Sequence, residues 1–226
     1  MRFKIEELEV FFPYDYVYRE QHEYMLELKR ALDAQGDALL EMPTGTGKTV
    51  SLLSLITSYQ FAHPEAGKLI YCTRTVPEME KTVEEVKRVL AYRARVLAEE
   101  AGRDGAAAAA AVVGPESDTL CVCLSTRKNL CIHPEVSAAD GRAAADAGCR
   151  ALTASWVRER AREPGAPPTP ACDFFEGWAA ASAEADVRGV YDLKDLRELG
   201  QAKGWCPYFF ARQVIAQAQI VVYSYQ

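Results

Sequence analysis

The segment Pro43-Thr44-Gly45-Thr46-Gly47-Lys48-Thr49 limits the fold of this chain more than any other stretch. A short apolar run, Ala38 to Met42, precedes it, and an apolar helical stretch through Leu53, Ile56 and Gln60 follows. Strand, glycine loop, helix is the order of a phosphate-binding unit. Glycines let backbone N–H groups approach phosphate oxygens, and the helix behind them presents its positive end. In that reading Thr44, Gly45, Thr46 and Gly47 wrap a triphosphate, Lys48 neutralises its outer phosphates, and the Thr49 hydroxyl helps to hold Mg²⁺. The simple pattern G-x-x-x-x-G-K-S/T asks for glycine at position 42, where Met42 stands, so only the shorter G-x-G-K-T core is present.

The flanking sequence predicts an α/β fold. Residues His22 to Ala34 place Met25, Leu28 and Leu32 at helical spacing, with Gly36 at the expected C-cap. Leu69 to Cys72 reads as a second buried strand that makes Cys72 a core residue, and Thr75-Val76-Pro77-Glu78 opens a long helix with capping-box spacing. Two strand–helix units in succession predict a parallel sheet covered by helices. From Glu99 to Gly114 the chain turns alanine-rich, with six alanines at Ala106 to Ala111, and the flanking glycines predict a loose surface insertion. Short helical pieces and loops follow, including Pro164 to Pro170. The end, Gln219 to Tyr225, reads as a strand again, which makes the region before it an insertion into the sheet domain.

That region holds six of the seven cysteines. It has too little apolar periodicity for a strong core, so a metal would serve it as a staple. Cys131, Cys149, Cys172 and Cys206 have 17, 22 and 33 residues between them, which is neither ferredoxin nor common zinc-finger spacing. Four thiolates suit zinc or an iron–sulfur cluster, and buried free cysteines are the alternative to either. Cys121 and Cys123 fall on one face of a predicted strand and read as packing residues. The odd cysteine count and the absence of an apolar leader in Met1 to Val10 point to a reducing, intracellular compartment. No run of apolar residues is long enough to span a membrane. The net charge of −6 makes any nucleic-acid contact local.

Phe12 to Tyr18 with Glu20-Gln21, then Leu40 to Leu53, resemble the Q-motif and motif I of the XPD family of superfamily 2 iron–sulfur DNA helicases. Leu69 to Lys81 is similar to motif Ia. Arg127 to Pro134, Leu152 to Ser155 and Gly204 to Phe209 are similar to the family's cluster domain. The resemblance covers nearly the whole chain and departs from the family at the alanine-rich stretch. It implies a RecA-like P-loop parallel-sheet domain, incomplete here, with an inserted, mainly helical iron–sulfur domain. The expected division is residues 1–116 for the first part of the motor domain, with the insertion at about 99–115, then 117–212 for the cluster domain and 213–226 for a return strand.

The resemblance also implies roles. Gln21 with Tyr18 would recognise adenine, although Arg19 stands where the family has proline; an amide matches adenine's donor and acceptor pair. Arg74 would meet a DNA phosphate at a helix N-terminus, and Arg127 and Lys128 would grip phosphates along the single-strand path. Cys131, Cys149, Cys172 and Cys206 would ligate a 4Fe–4S cluster, and neither His133 nor the Cys121/Cys123 pair would be a ligand. ATP and Mg²⁺ complete the cofactors, with Lys48 and Thr49 as catalytic residues. The implied activity is ATP-driven 5′-to-3′ unwinding of forked DNA in nucleotide excision repair and transcription initiation, as part of TFIIH in the nucleus. FANCJ, RTEL and DinG helicases are the alternatives within the superfamily; an inactive truncated binding module is the alternative outside it. No Asp-Glu-Ala-His sequence occurs in the 226 residues, so the chain is expected to be a fragment that hydrolyses little ATP alone.

Overall fold

A computed structural model describes residues 1–112, 114, 117–162, 164, 171–181 and 187–225. Val113 and Pro115 of the alanine-rich stretch, and all of the proline-rich loop except Pro164, lie outside the described residues. The chain divides into two compact units, one of Met1–Ile70, Lys81–Leu120 and Arg188–Val190, the other of Tyr71–Glu80, Cys121–Val187 and Tyr191–Gln226.

The first unit opens with an antiparallel hairpin of β1 (Arg2–Ile5) and β2 (Leu8–Phe11), paired from Arg2 with Phe11 to Ile5 with Leu8. Helices α1 (Arg19–Asp33) and α2 (Lys48–Ala62) pack on it. Ile5, Leu8, Val10, Met25 and Leu55 form the buried core, and Leu28 and Leu32 cover it from α1, as their helical spacing predicts. The C-terminus of α1 departs from expectation. Gln35, not Gly36, takes the left-handed conformation at φ 50°. Gln35 N–H bonds to Leu32 O and Gly36 N–H to Ala31 O, which is a Schellman closure shifted one residue early.

The expected strand at Ala38–Met42 does not form, and the segment pairs with no strand among the described residues. Leu39 is fully exposed and only Met42 is buried.

Strand β3 (Leu69–Thr73) and the long helix α3 (Val76–Glu100) form as the capping signal predicts, with Glu78 N–H donating to Thr75 Oγ1 at 3.4 Å. Cys72, expected in the core, is instead exposed, as is Ile70. Strand β3 lies at one end of the sheet order, with Ile70 and Cys72 on its exposed face and the Cys72 side chain meeting that of Tyr223. The alanine run is also more ordered than expected, folding as α4 (Gly105–Ala111). Asp104 caps it by accepting from Ala106 N–H and Ala107 N–H, and alanine's high helix propensity outweighs the flanking glycines.

In the remaining chain, β4 (Leu120–Leu124) leads to α5 (Arg127–Leu130), α6 (Pro134–Ala138), α7 (Gly141–Thr153), α8 (Ser155–Arg162) and α9 (Asp173–Ala181). Then come β5 (Gly189–Tyr191), α10 (Leu193–Lys203), α11 (Pro207–Gln213) and β6 (Ile220–Ser224). The four-stranded sheet runs in the order β3-β6-β4-β5. Its central strands β4 and β6 are parallel, with Cys121 opposite Ile220 and Leu124 opposite Tyr223. Parallel neighbours need a crossover, and everything from Ser125 to Gln219 supplies it. Cys121 and Cys123 are fully buried in β4, as their shared face predicts. No described helix is long and apolar enough to cross a membrane.

Candidate functional site

In the first unit the glycine loop closes on itself. Gly45 and Gly47 sit at φ 85° and 82°, which other residues adopt only with strain. Gly47 also has no room for a side chain, since a Cβ there would fall 2.5 Å from the Gln21 amide nitrogen. Gly47 is the N-cap of α2, no side chain caps that end, and no acidic residue occupies its first turn. The helix therefore keeps free N–H groups and a positive end for an anion. Lys48 Nζ donates to Met42 O at 2.6 Å and to Pro43 O at 3.0 Å, while Thr46 Oγ1 donates to Pro43 O. Thr49, half-buried, lies in the first turn of α2, with Thr44 and Gly45 exposed in the turn before it.

Gln21 is buried rather than a surface residue. Its amide oxygen accepts from Tyr18 N–H and its Nε2 donates to Thr46 O, both at 2.9 Å, so α1 is fastened to the loop. Tyr18 begins α1 with an exposed ring, edge-on to Tyr16 at 5.0 Å. The structure thus gathers Tyr18, Gln21 and Thr44 to Thr49 into one site.

In the second unit, Cys149, Cys172 and Cys206 are buried and Cys131 is half-buried. Val136 and Ala145 pack with Cys149, and Cys131, Leu152 and Phe209 border that cluster. Burial pushes the Cys131 and Cys172 thiols up and the Cys206 thiol up to about 12. Backbone N–H groups oppose this: His133 donates to the Cys131 sulfur, Phe174 and Phe175 to Cys172, and Phe209 and Tyr208 to Cys206. Cys206 is the N-cap of α11, and Cys172 immediately precedes α9. Cys149, inside α7, is met by the Arg127 side chain. Sulfurs met by donors, with three of the four buried, suit metal ligation.

A single tetrahedral zinc with bonds of ~2.3 Å draws its sulfurs to about 3.8 Å from one another. Among the described residues, no three of these sulfurs lie within 4.8 Å of one another. Four thiolates suit either a zinc ion or an iron–sulfur cluster.

Arg127 and Lys128 are half-buried and anchored by protein partners. Arg127 Nη1 donates to Asp146 at 3.1 Å, and its guanidinium lies 4.3 Å from the Tyr208 ring centre and 5.8 Å from that of Phe209. Lys128 Nζ donates to Ser137 O and Ala139 O. Arg74, exposed, pairs with Glu78 at 2.9 Å. The anchoring part played by Asp146 was missed from sequence, although its place three residues before Cys149 puts both on one face of α7.

The DEAD_2 family profile matches residues 71–226, more than half of the chain. The chain belongs to the DEAD_2 family. Over its whole length it is also similar to the general transcription and DNA repair factor IIH helicase subunit XPD of Arabidopsis thaliana, 52% identical, and of Dictyostelium discoideum, 48% identical. It spans 28% and 26% of those proteins. Regulator of telomere elongation helicase 1 of Mus musculus is 25% identical over 91% of the chain and 17% of its own length. The DEAD_2 match includes all four clustered cysteines, and the glycine loop lies before it.

Proposed function

We propose that this DEAD_2 chain is the nucleotide-binding and iron–sulfur part of an XPD-type DNA helicase. The observation that carries the reading is the pairing of an uncapped P-loop helix with four donor-supplied cysteines, three buried and one half-buried, in one chain. The margin between 52% and 25% identity favours the XPD type over the telomere-elongation type. ATP binds with its phosphates on the N–H groups of the Thr44–Thr49 loop. Lys48 leaves the Met42 and Pro43 carbonyls for the outer phosphates, and Thr49 turns its hydroxyl to Mg²⁺. The base stacks on the exposed Tyr18 ring, within reach of the Gln21 amide.

A 4Fe–4S cluster held by Cys131, Cys149, Cys172 and Cys206 supplies a rigid cross-link among α5, α7, α9 and α11. Held this way, Arg127 and Lys128 stay fixed while they offer their remaining N–H groups to the phosphates of a single strand, and Arg74 exchanges Glu78 for a phosphate. The domain division is residues 1–116, 117–212 and 213–226. The setting is a nuclear TFIIH complex acting in excision repair and transcription initiation, with 5′-to-3′ movement on forked DNA.

Titration with a fluorescent ATP analogue and Mg²⁺ tests this directly. Lys48→Ala removes a charge-assisted contact and weakens binding by about tenfold or more. Equal affinity in Lys48→Ala and the unaltered chain would contradict the site.

A further inference from the structure

Two side chains of the phosphate loop donate to one and the same carbonyl. Thr46 Oγ1 lies 2.6 Å from Pro43 O and Lys48 Nζ lies 3.0 Å from it, with a further Lys48 bond to Met42 O at 2.6 Å. Pro43 O is thus the shared acceptor that ties the Thr46 hydroxyl to the Lys48 ammonium. In the nucleotide reading Thr46 contributes its backbone N–H, which leaves the hydroxyl free for a second task.

The surroundings fix where that hydroxyl points. Thr46 O accepts from Nε2 of the buried Gln21 at 2.9 Å, so helix α1 pins the main chain of residue 46. Gly45 and Gly47 on either side hold left-handed φ values of 85° and 82°. A β-branched side chain on a fixed backbone has few rotamers, and this one turns back to the carbonyl three residues earlier, a contact that threonine hydroxyls readily make. Held there, Pro43 O competes with any phosphate oxygen for Lys48. An anion that takes Lys48 must displace this carbonyl, and the Thr46 bond resists the displacement.

We propose that Thr46 is a positioning residue whose hydroxyl latches Pro43 O onto Lys48 and so lowers the loop's affinity for a nucleoside triphosphate. The inference rests on the nucleotide site proposed above. Binding must break the latch, so the measured affinity is weaker than the intrinsic one by the fraction of loops that are open.

The test compares the full unaltered chain with Thr46→Val, which keeps the shape of the side chain but not the hydroxyl, and with Thr46→Ser, which keeps the hydroxyl. Each is titrated with N-methylanthraniloyl-ATP and Mg²⁺. Thr46→Val is expected to bind about three- to tenfold more tightly, the worth of one neutral hydrogen bond, and Thr46→Ser to bind as the unaltered chain does. A merely structural role, or direct contact of the hydroxyl with the ligand, moves affinity the other way. Weaker or equal binding by Thr46→Val would therefore overturn the proposal. A second readout needs no nucleotide: acylation of Lys48 by acetic anhydride, mapped by mass spectrometry, is expected to be faster in Thr46→Val and unchanged in Thr46→Ser. An equal rate in Thr46→Val would also overturn the latch. If no chain binds the analogue, the nucleotide site itself is overturned, and the acylation rates decide the latch alone.

Discussion

Lys29 illustrates how single residues hold the first unit. Its side chain is 1% exposed, and its ammonium pairs with Glu7 at 2.6 Å, Asp33 at 2.7 Å and Glu6 at 3.1 Å. Those contacts hold all three carboxyls below their usual range. A carboxyl with a depressed folded pKa stabilises the fold above its unfolded pKa, about 4, and that contribution fades as pH falls through the lower folded value. Lys29→Met is therefore expected to be most destabilising near neutrality, with the gap from the unaltered chain narrowing toward pH 3 in urea unfolding series. A gap independent of pH would contradict the role. Gln35 gives a second residue-scale expectation. It occupies a left-handed position that glycine fills without strain, so Gln35→Gly should raise unfolding free energy by about 0.5–1 kcal/mol. Sequence placed the break near Gly36 correctly but not by residue, because the helix closes one position earlier than the glycine suggests. Gly45 and Gly47 were legible, since their spacing is itself the requirement of the loop.

At the scale of elements, the cysteine site depends on how closely α9 approaches the turn before α11. A Cβ on Gly177 would lie 2.2 Å from Gly204 O, and one on Gly200 would lie 2.6 Å from the Pro207 ring. Trp178 anchors the same contact, edge-on to Trp205 at 5.2 Å and donating to Gln213 at 2.9 Å. Cys172 and Cys206 flank this contact in sequence. Gly177→Ala should push α9 away, cost about 1–3 kcal/mol of stability and reduce iron retention even though no cysteine is altered. Unchanged iron content and melting temperature would show that the contact does not position the ligands. Helices α1 and α3 and strands β4 and β6 were legible from periodicity and caps. The segment Ala38–Met42 was not, because an apolar run becomes a strand only beside a partner strand. The alanine run was misread for the opposite reason: propensity and the Asp104 cap suffice for a short helix without tertiary instruction.

For the whole molecule, the account rests on two sites of different legibility. The P-loop is compact in sequence and carries its own signature. The cysteines are spread from 131 to 206, and their spacing alone left zinc, an iron–sulfur cluster and buried free cysteines all open. Their burial and the N–H groups directed at their sulfurs are properties of the folded chain. The most direct test is iron and acid-labile sulfide content, with visible absorbance, on the chain purified without oxygen, beside Cys131→Ser, Cys149→Ser, Cys172→Ser and Cys206→Ser. The account predicts four irons and four sulfides per chain, the content of one 4Fe–4S cluster, lost or depleted in each variant. Zinc in place of iron, or full cluster content in any of the four variants, would contradict it.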